Sequence, residues 1–327
     1  EVVRRFAPKA DYQAQATPPH ECQLSMLQRV QLSEAQHEEL FRHCQSRNID
    51  YLSSPFDFAS VDLLVHRMRL SRLKIASGEL TNAPLLLKVA RTGVDIILST
   101  GMSTLGEIET ALSVLAFGFI NNNDKPSLAA FREAYASPEG QNLLKTRVTL
   151  LHCTSEYPSP LADTNLLAMD TLRYAFGLKV GYSDHSQGIV VPVAAAARGA
   201  VLIEKHFTLD RNLPGPDHRA SLEPDEFCEM VNSIRQVEVA LGSPLKYVTR
   251  SEKTNLNSVR KSLVARRDIK KGEIYTEENL GIKRPGTGIA PVYYWDYLGL
   301  QADKSYQTDD EISDFIPLCL SHQGNTI

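Results

Sequence analysis

Six short apolar runs break, at their C-terminal ends, into serine, threonine, glycine, glutamate or histidine. They are IDYLSSPFD (Ile49 to Asp57), LKIASGE (Leu73 to Glu79), DIILSTGM (Asp95 to Met102), VTLLHCTSEYP (Val148 to Pro158), VGYSDH (Val180 to His185) and VLIEKHF (Val201 to Phe207). Runs of this length and apolarity belong to strands buried by neighbouring layers. Helical stretches separate most of them, so the chain reads as alternating β and α with parallel strands and all its polar breaks at one edge. That is the pattern of an α/β (β/α)8 TIM barrel whose chemistry lies on the C-terminal face. A barrel needs eight strands and six are legible. The chain opens at Glu1 with a charged, non-strand segment, so the expectation is a barrel lacking its first two strands.

Two of the runs end in histidine, at His185 and His206. One strand, one helix and one strand separate them, so a βαβ unit brings them out side by side at the same sheet edge. That is a place to hold a metal. Lys74 lies inside an apolar run, where a cation is costly unless it is paired or meets an anion. A buried Lys-Glu structural pair and an anion site are both compatible with it, and Ser77, Gly78 and Glu79 form the loop beyond. Ser53 and Ser54 either bind phosphate or cap the next helix. Ser99 and Thr100 end the next strand beside a glycine that permits close backbone approach. His152 is either a core histidine or part of the mouth formed with Thr154, Ser155 and Tyr157.

The 327 residues can bury a sizeable core. The formal net charge of -4 calls for neither nucleic acid nor an anionic membrane as partner. Five scattered cysteines form no CxxC pair, which fits a reducing cytoplasm rather than a disulfide framework or zinc knuckle. No apolar run approaches the roughly 18 residues of a membrane span.

Residues 1 to 32 read as a polar, partly helical approach without chemistry. Ser33 and Gln36 form a capping-box pattern for a helix to Arg47, with His37 and His43 on its solvated side. Thr104 and Glu107 cap another. Asn121 to Thr146 reads as a surface helical insertion, and Leu222 to Leu241 as an amphipathic helix that closes the barrel and stops at Gly242. The domains are then 1–242, a linker at 243–261, and a small mixed β domain at 262–327 with a glycine-rich loop from Arg284 to Gly288.

KIASGE, LSTGM, LHCTSEYP, GYSDHSQG, IEKHFTLDRNLPGPDHRASLEPDEF and, later, RKSLVARRDIKKGE with IKRPGTGI together resemble the sialic acid synthase family. The C-terminal domain is similar to the SAF, or antifreeze-like, β-clip domain. The resemblance implies condensation of phosphoenolpyruvate with an N-acetylmannosamine-type sugar to a nine-carbon 2-keto acid plus phosphate, with C–O cleavage. It also implies a domain-swapped homodimer. By motif match His185 and His206 are metal ligands for Mn²⁺, with Mg²⁺ or Co²⁺ as substitutes. Lys74, Ser54, Ser77, Ser99, Ser155 and Ser183 hold phosphoenolpyruvate. Glu79, Tyr157 and Asp217 face the metal or the sugar, with Glu79 and Lys74 catalytic, and Arg284 reaches the sugar's N-acetyl end. The family's first strand carries a glutamate and an Asn-His loop, and its second a lysine and a glutamine; neither is present here. A non-catalytic fragment or carbohydrate-binding relative is the alternative expectation.

Overall fold

In the computed structural model, which describes residues 3–4, 7–18, 20–120 and 124–313, the chain divides into two compact units at Gly242. The first carries five strands in sequence order, β1 (Arg72–Ile75), β2 (Asp95–Ser99), β3 (Val148–Cys153), β4 (Lys179–Asp184) and β5 (Ile203–Lys205). Every neighbouring pair is parallel, as the alternating pattern predicts. The sheet is open among the described residues, with β1 and β5 as its edges, so a closed barrel is not formed here.

The sixth expected strand is absent. Residues 49–57 form no ladder, and Ile49, Leu52 and Phe56 are exposed. Pro55 lacks the N–H a ladder needs, and the Tyr51 hydroxyl lies 2.5 Å from Nδ1 of His37. The next helix, α4 (Phe58–Asp62), is capped by Asp57, which accepts from the Ser60 N–H at 2.7 Å; neither Ser53 nor Ser54 does this.

One face of the sheet is apolar because alternate residues of each strand point to it. Leu73, Ile75, Ile96, Leu98, Val148, Leu150, Val180 and Tyr182 are all buried there. Helices α5 (Ala83–Arg91), α6 (Leu105–Phe119), α9 (Ala168–Phe176) and α10 (Val190–Ala197) contribute to the same core. The expected caps are present, with Thr104 accepting from Glu107 N–H on α6 and Ser33 from Gln36 N–H on α3 (Glu34–Ser46). Two short helices, α1 (Asp11–Ala16) and α2 (Gln23–Val30), precede α3.

Helix α6 departs from the one-sided helix of a barrel wall. Ile108 and the eight consecutive residues from Ala111 to Gly118 are buried, so beyond Thr110 the helix has no wet side. The insertion explains this: α7 (Leu128–Ala136) and α8 (Pro138–Arg147) pack on it, with Phe131 edge-on to Phe117 at 5.2 Å. Each large apolar side chain so buried contributes about 1.5–3 kcal/mol.

Helix α11 (Pro224–Leu241) stops at Gly242, φ 52°, as the Gly-Ser-Pro signal predicts. It packs on α10 but buries only Met230 fully. No helix among the described residues is long and apolar enough to cross a membrane.

The second unit begins with a helix where an extended linker was expected. Thr249 and Glu252 form a capping box for α12 (Arg250–Val259). Ten helical residues span about 15 Å rather than the roughly 33 Å of an extended chain, which shortens the reach expected of 243–261. Strands β6 (Ser262–Ala265) and β7 (Leu280–Lys283) pair antiparallel around a small core of Leu263, Ile269, Tyr275, Leu280 and Ile312.

Candidate functional site

The other face of the sheet is mixed, and its polar residues lie in rows. Register pairs Lys74 with Ile97, Ser99 with Leu151, Cys153 with Ser183, and Ser183 with Glu204, all on the face away from the helices. Lys74 is 8% exposed and its Nζ lies 3.6 Å from Oε1 of Glu204. These two residues stand on opposite edge strands. In a flat sheet four inter-strand spacings would hold them about 19 Å apart, more than two side chains can bridge, so the ion pair requires a sheet curled like a barrel wall. Of the two meanings left open for Lys74 the structure shows the Lys-Glu pair, and the pair lies on the polar face of the sheet.

Ser183 links this pair to the histidines. Its hydroxyl donates to Oε1 of Glu204 at 2.6 Å, and its Oγ lies 3.3 Å from Nε2 of His185. His185 is 5% exposed, and its Nδ1 donates to the Thr154 carbonyl at 2.6 Å, which leaves Nε2 with its lone pair. Burial pushes its pKa down to about 4, so the ring is neutral at physiological pH. The His206 ring lies 5.5 Å away, centroid to centroid and nearly perpendicular, with Nδ1 3.7 Å from Oδ2 of Asp217. Burial raises the Asp217 carboxyl above its usual range, and its Oδ1 has no hydrogen-bond partner. Tyr157 stacks on His185 at 4.2 Å and stands edge-on to His206 at 5.3 Å. Its pKa is raised, first by burial.

Among the described residues no group of three or more His, Cys, Asp or Glu is arranged to hold a metal. Two imidazoles, His185 held by the Thr154 carbonyl and His206 lying beside the Asp217 carboxylate, suit a borderline divalent ion whose shell is completed by water or substrate oxygen. The donor chemistry fits such a group.

A second cluster lies at the ends of β1, β2 and β3. Gly101 N–H donates to Oγ of Ser77 at 3.0 Å, and Ser77 Oγ is 3.2 Å from Sγ of Cys153. A Cβ at Gly101 would come within 2.4 Å of Ser155 Oγ, 2.9 Å of Ser77 Oγ and 3.0 Å of Cys153 Sγ. Only glycine lets these groups converge. Ser99 is 2% exposed and its hydroxyl has no partner. The orphaned Ser99 hydroxyl and the buried Lys74 cation, on the same face of the sheet, are groups an oxyanion can use.

The structure does not bring every expected residue into this group. Ser54 is half-buried on the segment without a ladder and bonds none of the others. Glu79 accepts from Nδ2 of Asn82 at 2.7 Å. Arg284 lies in the second unit, exposed, with no hydrogen bond or ion pair among the described residues. Its loop is ordered by Glu311, whose Oε1 accepts from Ser262 Oγ at 2.7 Å, Thr287 Oγ1 at 2.6 Å and Gly288 N at 3.0 Å. His152 proves to be the core histidine, on the helix-covered face, with Nε2 2.9 Å from the Thr164 carbonyl and a pKa lowered by burial.

Glu204, Cys153 and Tyr12 escaped sequence reasoning. Glu204 had a signal: the 21-residue offset that pairs Ser183 with Glu204 also separates His185 from His206. Tyr12 had none. It comes from the stretch read as free of chemistry, yet its ring stacks on Tyr157 at 4.9 Å, and its pKa is raised by burial and then by Asp217.

Both units have matches among known proteins. Residues 1–246 match the NeuB family and residues 260–302 the SAF domain. The N,N'-diacetyllegionaminic acid synthase of Campylobacter jejuni is 48% identical over 94% of this chain and 85% of its own. The enzyme of the same name from Legionella pneumophila is 41% identical over 89% of this chain and 75% of its own. The solved structure of N-acetylneuraminic acid (sialic acid) synthetase from Leptospira borgpetersenii, in complex with citrate, superposes with a TM-score of 0.59 at 32% identity. It covers 71% of this chain and 72% of its own.

Proposed function

The chain belongs to the NeuB family of sialic-acid-type synthases and carries a SAF domain, and from that premise we propose that it condenses phosphoenolpyruvate with a 2-acetamido aldose. C3 of the enol attacks the aldehyde carbon, water adds at C2, and the C2–O bond breaks to release phosphate and the 2-keto acid. The observation that carries this reading is the convergence of Lys74, the Ser77–Gly101–Ser155 cluster, Ser99 and two adjacent histidines at one edge of a curled parallel sheet.

Lys74 and the hydroxyls of Ser77, Ser99, Ser155 and Ser183 hold the phosphate and carboxylate. At 3.6 Å the Lys74–Glu204 contact is long for an ion pair, so an incoming anion can displace the carboxylate and take the cation. Ser54 is assigned to this anion by resemblance alone. A divalent ion at His185 and His206, Mn²⁺ or in its place Mg²⁺ or Co²⁺, supplies Lewis acidity for the aldehyde when bound. Asp217, with its orphaned oxygen and raised pKa, takes a hydroxyl or water of the sugar side and can exchange a proton with it. Tyr157 forms an apolar wall that excludes water beside the histidines, and Glu79 serves as the further proton-handling carboxylate. Arg284, free within its own unit, meets the N-acetyl end of the sugar in a domain-swapped homodimer. Two relatives named for a diacetylated product favour a sugar with two acetamido groups over N-acetylmannosamine.

The test is phosphate release from phosphoenolpyruvate with each sugar in turn, in chelator-treated buffer with and without added Mn²⁺. Turnover is expected only with metal, and His206→Ala is expected to lower it at least about 10³-fold at unchanged unfolding midpoint. Unchanged activity of His206→Ala without metal would overturn the reading.

A further inference from the structure

We propose that the buried ion pair between Asp184 and Lys205 fixes the register of β4 against β5 and thereby sets the separation of His185 and His206. This makes Asp184 and Lys205 positioning residues, and it rests on the reading of the two histidines as metal ligands.

Each residue stands immediately before a histidine, and the two are direct partners in the ladder. Their side chains are 0% and 1% exposed, with Nζ 2.6 Å from Oδ2. Strand alternation turns them to the helix-covered face while Ser183 and Glu204 point to the polar one. The pair also grips the far side of His185. Oδ1 of Asp184 accepts from Ser186 N–H at 2.9 Å, and Nζ of Lys205 donates to the Ser186 carbonyl. His185 is thus held through the residues before and after it, and its own carbonyl accepts from Ser159 N–H at 2.9 Å.

Other forces specify this register weakly. Strand β5 is three residues long, lies at the sheet edge, and its one apolar residue, Ile203, is only half-buried. Little apolar pattern is left to choose one pairing over another. A slip of one residue would set Asp184 against Glu204 or His206, leave Lys205 without its carboxylate, and turn His206 to the other face. A slip of two would displace the ring by about 7 Å. Two apolar side chains could fill the same space with equal stability. They would not penalise the slip of two, which is the service a buried charge pair performs.

The experiment uses the full chain and three variants: Lys205→Arg, Lys205→Met, and Asp184→Asn with Lys205→Met. Mn²⁺ affinity is measured by electron paramagnetic resonance of the free ion, beside the unfolding midpoint, with His185→Ala as the control for ligand loss. Lys205→Arg is expected to stay within threefold of the parent. Lys205→Met and the double variant are expected to bind about 10- to 100-fold more weakly. If Lys205→Met does not fold, the double variant, which leaves no unpaired buried charge, gives the answer. A folded double variant that binds Mn²⁺ within threefold of the parent, while His185→Ala does not, overturns the inference alone. A parent that binds no more Mn²⁺ than His185→Ala overturns the ligand reading and the inference with it.

Discussion

The loop after β4 and the loop after β7 are each held by one carboxylate, under opposite conditions. Asp184 is fully buried and satisfied by an equally buried cation and one backbone N–H. Glu311 is partly exposed and accepts from two neutral hydroxyls and two backbone N–H groups in the Arg284 loop. Burial makes the first arrangement intolerant, because a lone charge left inside costs far more than the pair contributes. Exposure makes the second adjustable, because water can replace each lost partner. The intolerant device stands beside the two histidines, whose spacing must be fixed. The adjustable one holds an exposed arginine.

The largest expected effect tests the intolerance directly. Lys205→Met should destabilise the first unit by about 3–5 kcal/mol, and adding Asp184→Asn should recover most of that loss. Urea unfolding followed in the first unit measures both. Independent, additive losses would remove the basis of the comparison.

Acid should separate the two units next. In the metal-free protein His185 stays neutral down to about pH 4, whereas the unfolded chain protonates near 6.5. The unfolded state therefore binds more protons between these values, and stability falls as pH is lowered through that window, by up to about 3 kcal/mol. Glu311 responds in the same direction but at lower pH. Its pKa is lowered, first by Thr287 and then by Ser262, so its contribution is complete above the unfolded value near 4.5 and is lost only as pH falls below it. Thermal melts from pH 7 to 4 should show the first unit weakening while the second holds. A first unit indifferent to pH above 4.5 would contradict the burial assigned to His185.

The smallest effects lie in the second unit. Glu311→Gln should cost about 1–2 kcal/mol of its stability, since four acceptor contacts weaken without stranding a charge. Lys283→Ala, which removes the exposed partner of Asp309, should cost less than about 0.5 kcal/mol. Denaturation of the two variants side by side decides whether contact number or mere charge loss matters. Equal costs would mean that Glu311 does not order the loop.

Much of the sheet was legible because each strand couples an apolar run with a polar end, and five of the six runs pair in sequence order. IDYLSSPFD misled because apolar content does not report a partner, and its Tyr51 and Asp57 serve a neighbouring helix start and α3 instead. His185 and His206 were visible through their spacing. Glu204 and Lys205 were not, although the same offset reaches them, because charges inside VLIEKHF disclose neither face nor burial. Tyr12 was beyond reach, since its stack on Tyr157 joins segments 145 residues apart by position alone. The helical α12 was written in Thr249 and Glu252, but a polar composition disguised it as linker.

Helix α6 carries a consequence for anyone who would shorten this chain. Removing 128–147, which resembles a decoration by its polar sequence, would present Phe117 to water along with the rest of the α6 surface that α7 and α8 cover. The product would be a sticky protein rather than a smaller one. The same dependence constrains how the native chain matures. Until α7 and α8 have been synthesised and docked, the second half of α6, from Ala111 to Gly118, has one apolar side uncovered, so the segment that looks dispensable is the shield the growing chain waits for.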